Sequence, residues 1–448
     1  MGQDLEALAG WLLDAARKAG AEAADAVAVA GDSLSIEVRD GALEQAERSE
    51  GVDIGLRVLI GKRQATVSAS DTAPDTISAM AERAVAMARE APEDPWCGLA
   101  APDELSAVRD AAGLDLVDAS DMPDPEALQD AALAAEAAAR GVGGITKMDG
   151  AGAGWSSRRF YMAATNGFSG GAGRTGHWLQ AVAICGDGLE MERDYAAEMR
   201  VHAADLPDPA EIGRRAGERT IARAGASRPP TGAWPVLFDE RIASSLIGHL
   251  VQAVNGSAVA RGSSWLKDAM GEAVLPSGID LVADPGRPRV PGSRHFDGEG
   301  LPTARRHLVQ DGRLCGWTLD LATARKLGRE STGNAERGTS SPPHPSEGNL
   351  ALTQGSVSQD DLLDEMGTGL LVTSLIGATI NPTTGDYSRG ASGFWIENGV
   401  VVRPVNECTI AGNLREMLAT IRPANDARAH LSRVVPSLLV EGLVIAGS

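Results

Sequence analysis

The chain has 448 residues and carries 61 acidic against 41 basic side chains, which gives a formal net charge of −20. Its length predicts two or three domains, and a hydrophobic content of 43% excludes a disordered or collagen-like chain. Because the acidic surplus repels phosphate, we expect neither nucleic acid nor an anionic membrane surface as a partner.

The cysteines and the N-terminal residues indicate a cytoplasmic protein. Cys97, Cys185, Cys315 and Cys408 are irregularly spaced and form no CxxC pair, so we expect reduced thiols. The chain starts without the basic and apolar stretches of a signal peptide, and it has no apolar run of the ~20 residues that a membrane span needs.

The first part of the chain, residues 1–95, predicts an α+β domain. Apolar residues recur at helical spacing over Asp4–Gly20, and a second helix is predicted over Pro74–Glu90. Between them the period changes to two, which predicts a strand meander from Ala26 to Ala69, with Asp40-Gly41 as a hairpin turn.

Residues 96–226 predict a central region of helices and antiparallel strands that packs with the first domain. Helices are predicted over Pro125–Arg140 and Pro209–Ala226, with alternating strand patterns from Ile145 to Arg200 between them. The segment Ser227–Gly232 is rich in proline and polar residues and is the predicted linker.

The remaining residues, 232–448, predict a β-rich C-terminal domain. A short strand, Trp234–Phe238, and a helix, Asp239–Asn255, come first, and later hairpin signals stand at Asp311-Gly312 and Asn398-Gly399. The predicted fold class is therefore α+β, with an N-terminal α/β region of antiparallel sheets and helices, followed by a barrel-like or twisted-sheet domain.

One glycine-rich run matches two motifs of catalytic sites. Gly171–Gly176 fits GxGxxG and Gly167–Gly171 fits GxSxG. Both motifs require a helix after the glycines, whereas His177–Ile184 alternates like a strand. We interpret the run as a connection between strands.

Two histidine-containing segments raise the question of a metal. His249 lies on the flank of the apolar stripe of the 239–255 helix, and no second histidine or cysteine stands at ligand spacing. His295, Asp297 and Glu299 offer three ligand types within a Pro/Gly-rich loop. Two interpretations of this loop stay open: a metal site, and a turn whose carboxylates accept backbone N–H groups.

A polar loop near the C-terminus is a candidate for a substrate cleft or an interface, and a structural turn is the alternative. The loop, residues 381–390, contributes Asn381, Asp386, Tyr387, Ser388 and Arg389. Ser331–Gly338 is a similar but weaker polar turn.

Several of these segments together resemble the TldD/PmbA family, also called modulator of gyrase. The resemblance spans essentially the whole chain, and it is the combination of segments that makes it specific. The segments are Gly51–Ala69, Phe296–Gly300, Ala324–Gly328, Ser331–Asn334, Asn381–Gly399 and Glu407–Leu414.

The resemblance implies a cytosolic heterodimer of a TldD-type zinc metalloprotease and its PmbA/TldE-type paralogue. The TldD type carries HExxxH on the first helix of the C-terminal domain, with a further cysteine ligand near the C-terminus. Counting back from Arg261–Ser264, the motif positions hold Ile247, Gly248 and Gln252, and Arg433–Ser448 contains no cysteine. The resemblance therefore implies the PmbA/TldE type, with no zinc ligand, catalytic residue or cofactor in this chain.

The leading hypothesis is a subunit without its own zinc site that helps a TldD-like partner act on unfolded peptides. The family is associated with trimming the leader peptides of modified microcins and with antitoxin degradation. A homodimer in isolation is the other expected assembly state. Two alternatives stay open: a stand-alone protein that binds gyrase or a small ligand, and an enzyme that uses the 381–390 loop with Asp297 and Glu299.

Overall fold

The computed structural model describes residues 4–447. Within this range the helices are α1 Leu5–Ala19, α2 Pro74–Glu90, α3 Pro125–Arg140, α4 Pro209–Ala222, α5 Glu240–Ala253, α6 Gly256–Ala260, α7 Leu321–Leu327, α8 Gln359–Met366 and α9 Leu414–Ala419. The strands of the first half are β1 Ala23–Arg39, β2 Ala42–Ile60, β3 Arg63–Ala69, β4 Ile145–Ala164, β5 Ser169–Cys185 and β6 Glu192–Arg200. The second half contains β7 Gly232–Phe238, β8 Leu281–Ala283, β9 Arg306–Gln310, β10 Arg313–Leu314, β11 Ala335–Glu336, β12 His344–Pro345, β13 Leu350–Leu352, β14 Gly369–Ile380, β15 Asp386–Glu397, β16 Val400–Asn413, β17 Arg422–Pro423, β18 Arg433–Val434 and β19 Leu438–Ala446.

The strands of the first half form a single antiparallel sheet in the order β3-β2-β1-β4-β5-β6. The long strand β1 pairs with β2 along one side and with β4 along the other. Asp40 and Gly41 both have positive φ, 55° and 74°, as the type I′ turn between β1 and β2 requires. The strands of residues 1–95 and 96–226 thus belong to one continuous hydrogen-bonded sheet.

Four amphipathic helices cover this sheet in two pairs. Helices α1 and α2 pack on β1, β2 and β3, and the side chain of Asp4 caps α1 by accepting hydrogen bonds from the amides of Glu6 and Ala7. Helices α3 and α4 pack together over the other half of the sheet, through a core built largely of alanine. Small side chains allow these two helices to approach closely.

The C-terminal half is built on a closed five-stranded barrel. The strands are hydrogen-bonded in the order β16-β15-β14-β7-β19, and β19 also pairs with β16, which closes the ring. Helix α5 follows β7 directly and buries Leu246, Ile247 and Leu250 in the core of this half. A smaller sheet, β10-β9-β8-β13-β18, lies beside the barrel. The α+β fold class is confirmed, and the C-terminal domain is barrel-like.

Among residues 4–447, no helix has both the length and the apolar character needed to cross a bilayer.

A buried charge cluster joins the N-terminal sheet to the C-terminal half. Asp25 on β1 accepts hydrogen bonds from Arg57 on β2, whose Nε lies 2.8 Å away, and from Arg337, which follows β11. The three side chains are 5%, 4% and 2% exposed. Burial alone would raise the pKa of Asp25, but the two guanidinium groups outweigh burial and hold that pKa below its usual value.

Replacing Asp25 with Asn should destabilise the protein strongly, because two guanidinium groups then stay buried without a carboxylate. We expect the free energy of unfolding at pH 7 to fall by about 3–5 kcal/mol. The folded state holds Asp25 ionised, so its contribution is complete above the unfolded pKa of about 3.9 and is lost as the pH falls through the lower folded pKa.

Urea titrations at several pH values measure this difference between wild type and Asp25→Asn. The control is Asp14→Asn, which removes an exposed ion pair with Arg17 and should cost no more than about 1 kcal/mol. Equal effects of the two substitutions at pH 7 would contradict the assignment of Asp25 as the junction carboxylate.

The close approach of α3 and α4 generates a second prediction. A Cβ atom at Gly213 in α4 would overlap the backbone carbonyl of Ala135 in α3, whereas a Cβ at Gly10 in α1 meets no atom within 4 Å. Gly213→Ala should therefore destabilise by about 1–3 kcal/mol, and Gly10→Ala should stabilise by about 0.5–1 kcal/mol. Thermal and urea unfolding of both variants check this, and stabilisation by Gly213→Ala would show that the helices are not in close contact.

Candidate functional site

The residues at the three metal-motif positions face different surroundings. Ile247 is 1% exposed and packs in the barrel core, and Gly248 is also buried. Gln252 instead lines a cavity of about 450 Å³. None of these side chains supplies the nitrogen, sulfur or carboxylate ligands that zinc prefers in hydrolytic sites.

His249 lines the same cavity as Gln252. Its Nε2 is buried and meets no hydrogen-bond partner within residues 4–447. Burial and the nearby charge of Arg389 lower the pKa of His249 below its ordinary value, while an interaction with Gln252 opposes the shift. The imidazole is therefore neutral at pH 7, with an unused nitrogen beside the cavity.

Tyr387 on β15 packs edge-on against His249, with ring centroids 5.8 Å apart at 71°. The tyrosine is 2% exposed, and among the described residues its hydroxyl has no partner of ordinary hydrogen-bond geometry. Burial raises the pKa of Tyr387 to about 12, although Arg389 works in the opposite direction. The hydroxyl is thus protonated and does not serve as a base at neutral pH.

The rest of the polar loop is a locally bonded turn at the edge of this cavity. The side chain of Asn381 accepts from the amide of Thr383 at 3.0 Å, and Asp386 accepts from the hydroxyl of Thr384 at 2.6 Å and from Asn413 at 3.2 Å. These bonds lower the pKa of Asp386.

The last residues of the polar loop are bonded to strand β14. Arg389 donates to the carbonyl of Gly377 at 2.6 Å, and Ser388 continues the β14–β15 ladder. The cavity contacts the loop through Ile380 and Pro382. The loop therefore contributes both a structural turn and part of a cavity wall.

Asp297 and Glu299 lie elsewhere, where their carboxylates accept backbone N–H groups. Asp297 accepts from the amides of Glu299, Leu301 and Ala335 at 2.9–3.0 Å. Glu299 accepts from the amide of Leu321, the first residue of α7, at 2.8 Å. These bonds match the turn alternative given above.

The surroundings of both carboxyl groups favour their neutral forms. Burial raises the pKa of Asp297, and burial together with Asp297 and Asp320 raises the pKa of Glu299 to about 8. No hydrogen bond in the described part of the chain connects either residue to the 381–390 loop.

The remaining sequence motifs occupy structural positions. Ser169–Cys185, which includes the GxGxxG match, is strand β5, so the helix that either motif requires is absent from that described segment. The Nε2 of His295 lies 2.9 Å from the carbonyl oxygen of Ala112. Nowhere in residues 4–447 do three or more His, Cys, Asp or Glu side chains gather closely enough to hold a metal ion. At the three metal-motif positions, the side chains of Ile247, Gly248 and Gln252 offer none of the ligands that zinc prefers, so these residues do not fit zinc.

A second cavity, of about 340 Å³, lies where the N-terminal sheet faces the C-terminal half, and sequence analysis missed it. Its walls include four arginines that are distant in sequence, so no spacing pattern signals the site. They are Arg158, Arg174, Arg294 and Arg337.

Comparison with known proteins places this architecture in one class, the PmbA/TldD-type metallopeptidases. Family models described as PmbA/TldA metallopeptidase domain 1, central domain and C-terminal domain match residues 24–88, 118–224 and 231–447. The chain belongs to the TldD/PmbA family and, within it, to the PmbA/TldE type.

Individual proteins are similar to this chain in sequence or in structure. Metalloprotease PmbA of Escherichia coli O157:H7 is 34% identical over 92% of this chain and 90% of its own, and a PmbA homolog of Haemophilus influenzae is 32% identical over 100% and 97%. A Bacteroides thetaiotaomicron structure, described in terms of modulation of DNA gyrase, has a TM-score of 0.91 at 27% identity and covers 99% and 98% of the two chains. TldE of Thermococcus kodakarensis, at 21% identity over 98% and 100%, shares the fold with a TM-score of 0.85.

The unbonded hydroxyl of Tyr387 generates a prediction about stability. Tyr387→Phe removes a buried polar group without breaking a hydrogen bond, so the free energy of unfolding should stay within about 1 kcal/mol of wild type or rise. The matched control is Thr220→Val, because the buried Thr220 hydroxyl donates to the Ala216 carbonyl at 2.8 Å and accepts from the Asp194 amide. Loss of that hydroxyl should cost about 1–3 kcal/mol.

Chemical denaturation of the two variants side by side makes the measurement. If Tyr387→Phe proved as destabilising as Thr220→Val, the tyrosine hydroxyl would have a bonded partner in solution.

Proposed function

We propose that this chain is the PmbA/TldE-type subunit of a cytosolic zinc metalloprotease complex and that a TldD-like partner supplies the zinc and the general base. The observation that carries the proposal is family membership combined with Ile247, Gly248 and Gln252 at the metal-motif positions. A hydrolytic zinc site needs three protein ligands and an open position for water, usually with a carboxylate base nearby. His249 offers one nitrogen.

The role that we propose for this chain is to help hold an unfolded peptide. The edge of β2 supports this role: β3 pairs only with residues 54–60 of β2, and residues 42–50 are exposed. An extended peptide can add to such an edge through main-chain hydrogen bonds, whereas a folded protein presents few free strands. Leader peptides and antitoxins are the substrate class that we propose, by analogy with the family.

Assembly and metal content test this proposal together. Mixing the 46.3 kDa chain with a TldD-like protein should give a heterodimer in mass photometry, and zinc analysis should assign the metal to the partner. An unfolded peptide should be cleaved by the mixture, in a chelator-sensitive way, and not by the isolated chain. Chelator-sensitive cleavage by the pure chain, or stoichiometric zinc bound to it alone, would overturn the proposal.

The second candidate function is a stand-alone regulator that binds another protein without protease activity. The description of the Bacteroides thetaiotaomicron structure as a gyrase modulator favours it. In that case the chain would remain a homodimer in the presence of a TldD-like protein and would bind purified gyrase. Gyrase binding and peptide cleavage by the mixture therefore separate the two functions.

A further inference from the structure

The arginine-lined cavity between the N-terminal sheet and the C-terminal half has an excess of positive charge. Arg158, Arg174 and Arg294 form no ion pair within 4.0 Å among residues 4–447. Arg174 donates to the carbonyl of Pro291 at 2.7 Å and Arg294 to that of Ser346 at 3.2 Å, so both are held in place by neutral acceptors.

Arg337 adds a buried guanidinium with unused donors. Its side chain is 2% exposed, and its single carboxylate partner, Asp25, is shared with Arg57. Within the described chain, Nε and Nη2 of Arg337 are buried and have no hydrogen-bond partner. Buried donors of this kind are costly unless a partner or a ligand satisfies them.

The carboxylates in the cavity wall are mostly engaged elsewhere. Asp297 accepts three backbone amides, and Glu347 is bonded to Arg306, to Asn334 at 3.0 Å and to Thr318 at 2.6 Å. Glu336 is exposed at the rim. Burial lowers the pKa of Arg174 and Arg294, and mutual repulsion among the arginines adds to the shift of Arg174. Glu336 opposes both shifts and Asp297 opposes that of Arg294, but neither carboxylate outweighs burial.

An apolar surface adjoins these arginines. Val27 and Val29 on β1, Phe160 and Met162 on β4, and Phe296 line the same cavity. Its volume of about 340 Å³ is in the range of small-molecule sites, and the exposed Arg158 places one edge of it in contact with solvent.

We propose that this cavity binds the carboxylate of a ligand whose adjoining group is apolar. The forked guanidinium groups match the two oxygens of a carboxylate, and the aliphatic and aromatic wall takes the attached side chain. Two sources have this chemistry, the free C-terminus of a peptide and a small organic acid. The inference concerns this chain alone and holds whether or not it pairs with a protease.

Isothermal titration calorimetry of the full chain tests the site with four probes. The probes are N-acetyl-Ala-Ala-Phe with a free carboxylate, the same peptide as its C-terminal amide, 3-phenylpropionate and inorganic phosphate. We expect saturable 1:1 binding of a carboxylate probe and at least about tenfold weaker binding of the amide, because each charge-assisted hydrogen bond contributes about that factor. A peptide acid that binds about tenfold tighter than 3-phenylpropionate identifies a peptide terminus, and equal binding identifies an organic acid.

The variant Arg294→Gln should weaken binding of the carboxylate probe by about tenfold or more. The matched control is Arg305→Gln, because Arg305 is 61% exposed and lies outside the cavity wall. If thermal unfolding shows that Arg294→Gln is not folded, the acid and amide peptides on the wild-type chain decide the question.

The proposal would be overturned by the absence of carboxylate binding at millimolar concentration, by equal binding of acid and amide, or by unchanged binding in folded Arg294→Gln. Tighter binding of phosphate than of either carboxylate probe would likewise exclude the assigned ligand class.

Discussion

The ionised carboxylate of Asp25 is the constraint on which the joint between the two halves of this protein depends. It lies on the central strand of the N-terminal sheet and pairs with two buried guanidinium groups, one from β2 and one from the C-terminal half. Taking these charges out of water is expensive, and the attraction of the carboxylate to both guanidinium groups offsets part of that cost. The halves therefore meet in one specific orientation, because any displacement separates the carboxylate from a guanidinium.

Backbone contact beside this cluster makes the orientation stricter. A side chain at Gly55 would overlap the backbone of Thr339, so β2 and the segment after β11 approach to the distance that glycine permits. The two halves that meet at this contact also enclose the arginine-lined cavity. Its walls come from β1, β4 and β5 on the N-terminal side and from the loops around Phe296 and Arg337 on the C-terminal side. The geometry of that cavity is thus a property of the joint and not of either half.

Local sequence patterns predicted the elements whose cause is local. The bounds of α2 and α3 agree with the prediction, Gly20 ends α1 in the left-handed conformation, and Asn398-Gly399 forms its hairpin with positive φ at both residues. In each case the signal is a proline, a glycine or an apolar period within a few residues.

The contacts that create the candidate sites were not predictable in this way. Asp25 and Arg337 are 312 residues apart, and no periodicity connects them. Strand β1 runs without interruption from Ala23 to Arg39 because β2 and β4 hold both of its edges, and β4 lies far along the chain. His249 was recognised only as a helix residue on a core flank, and its proximity to Tyr387 depends on closure of the barrel.

The pairing of β1 with β4 also bears on how the chain acquires its structure during synthesis. Strand β1 ends at Arg39, and its second neighbour begins at Ile145, so one edge of the central strand stays open until the ribosome has released much of the central region. Bringing such distant strands together carries an entropic cost before any contact stabilises them. The first helices and hairpin can form early, but the sheet, and with it the docking surface for the C-terminal half, matures late.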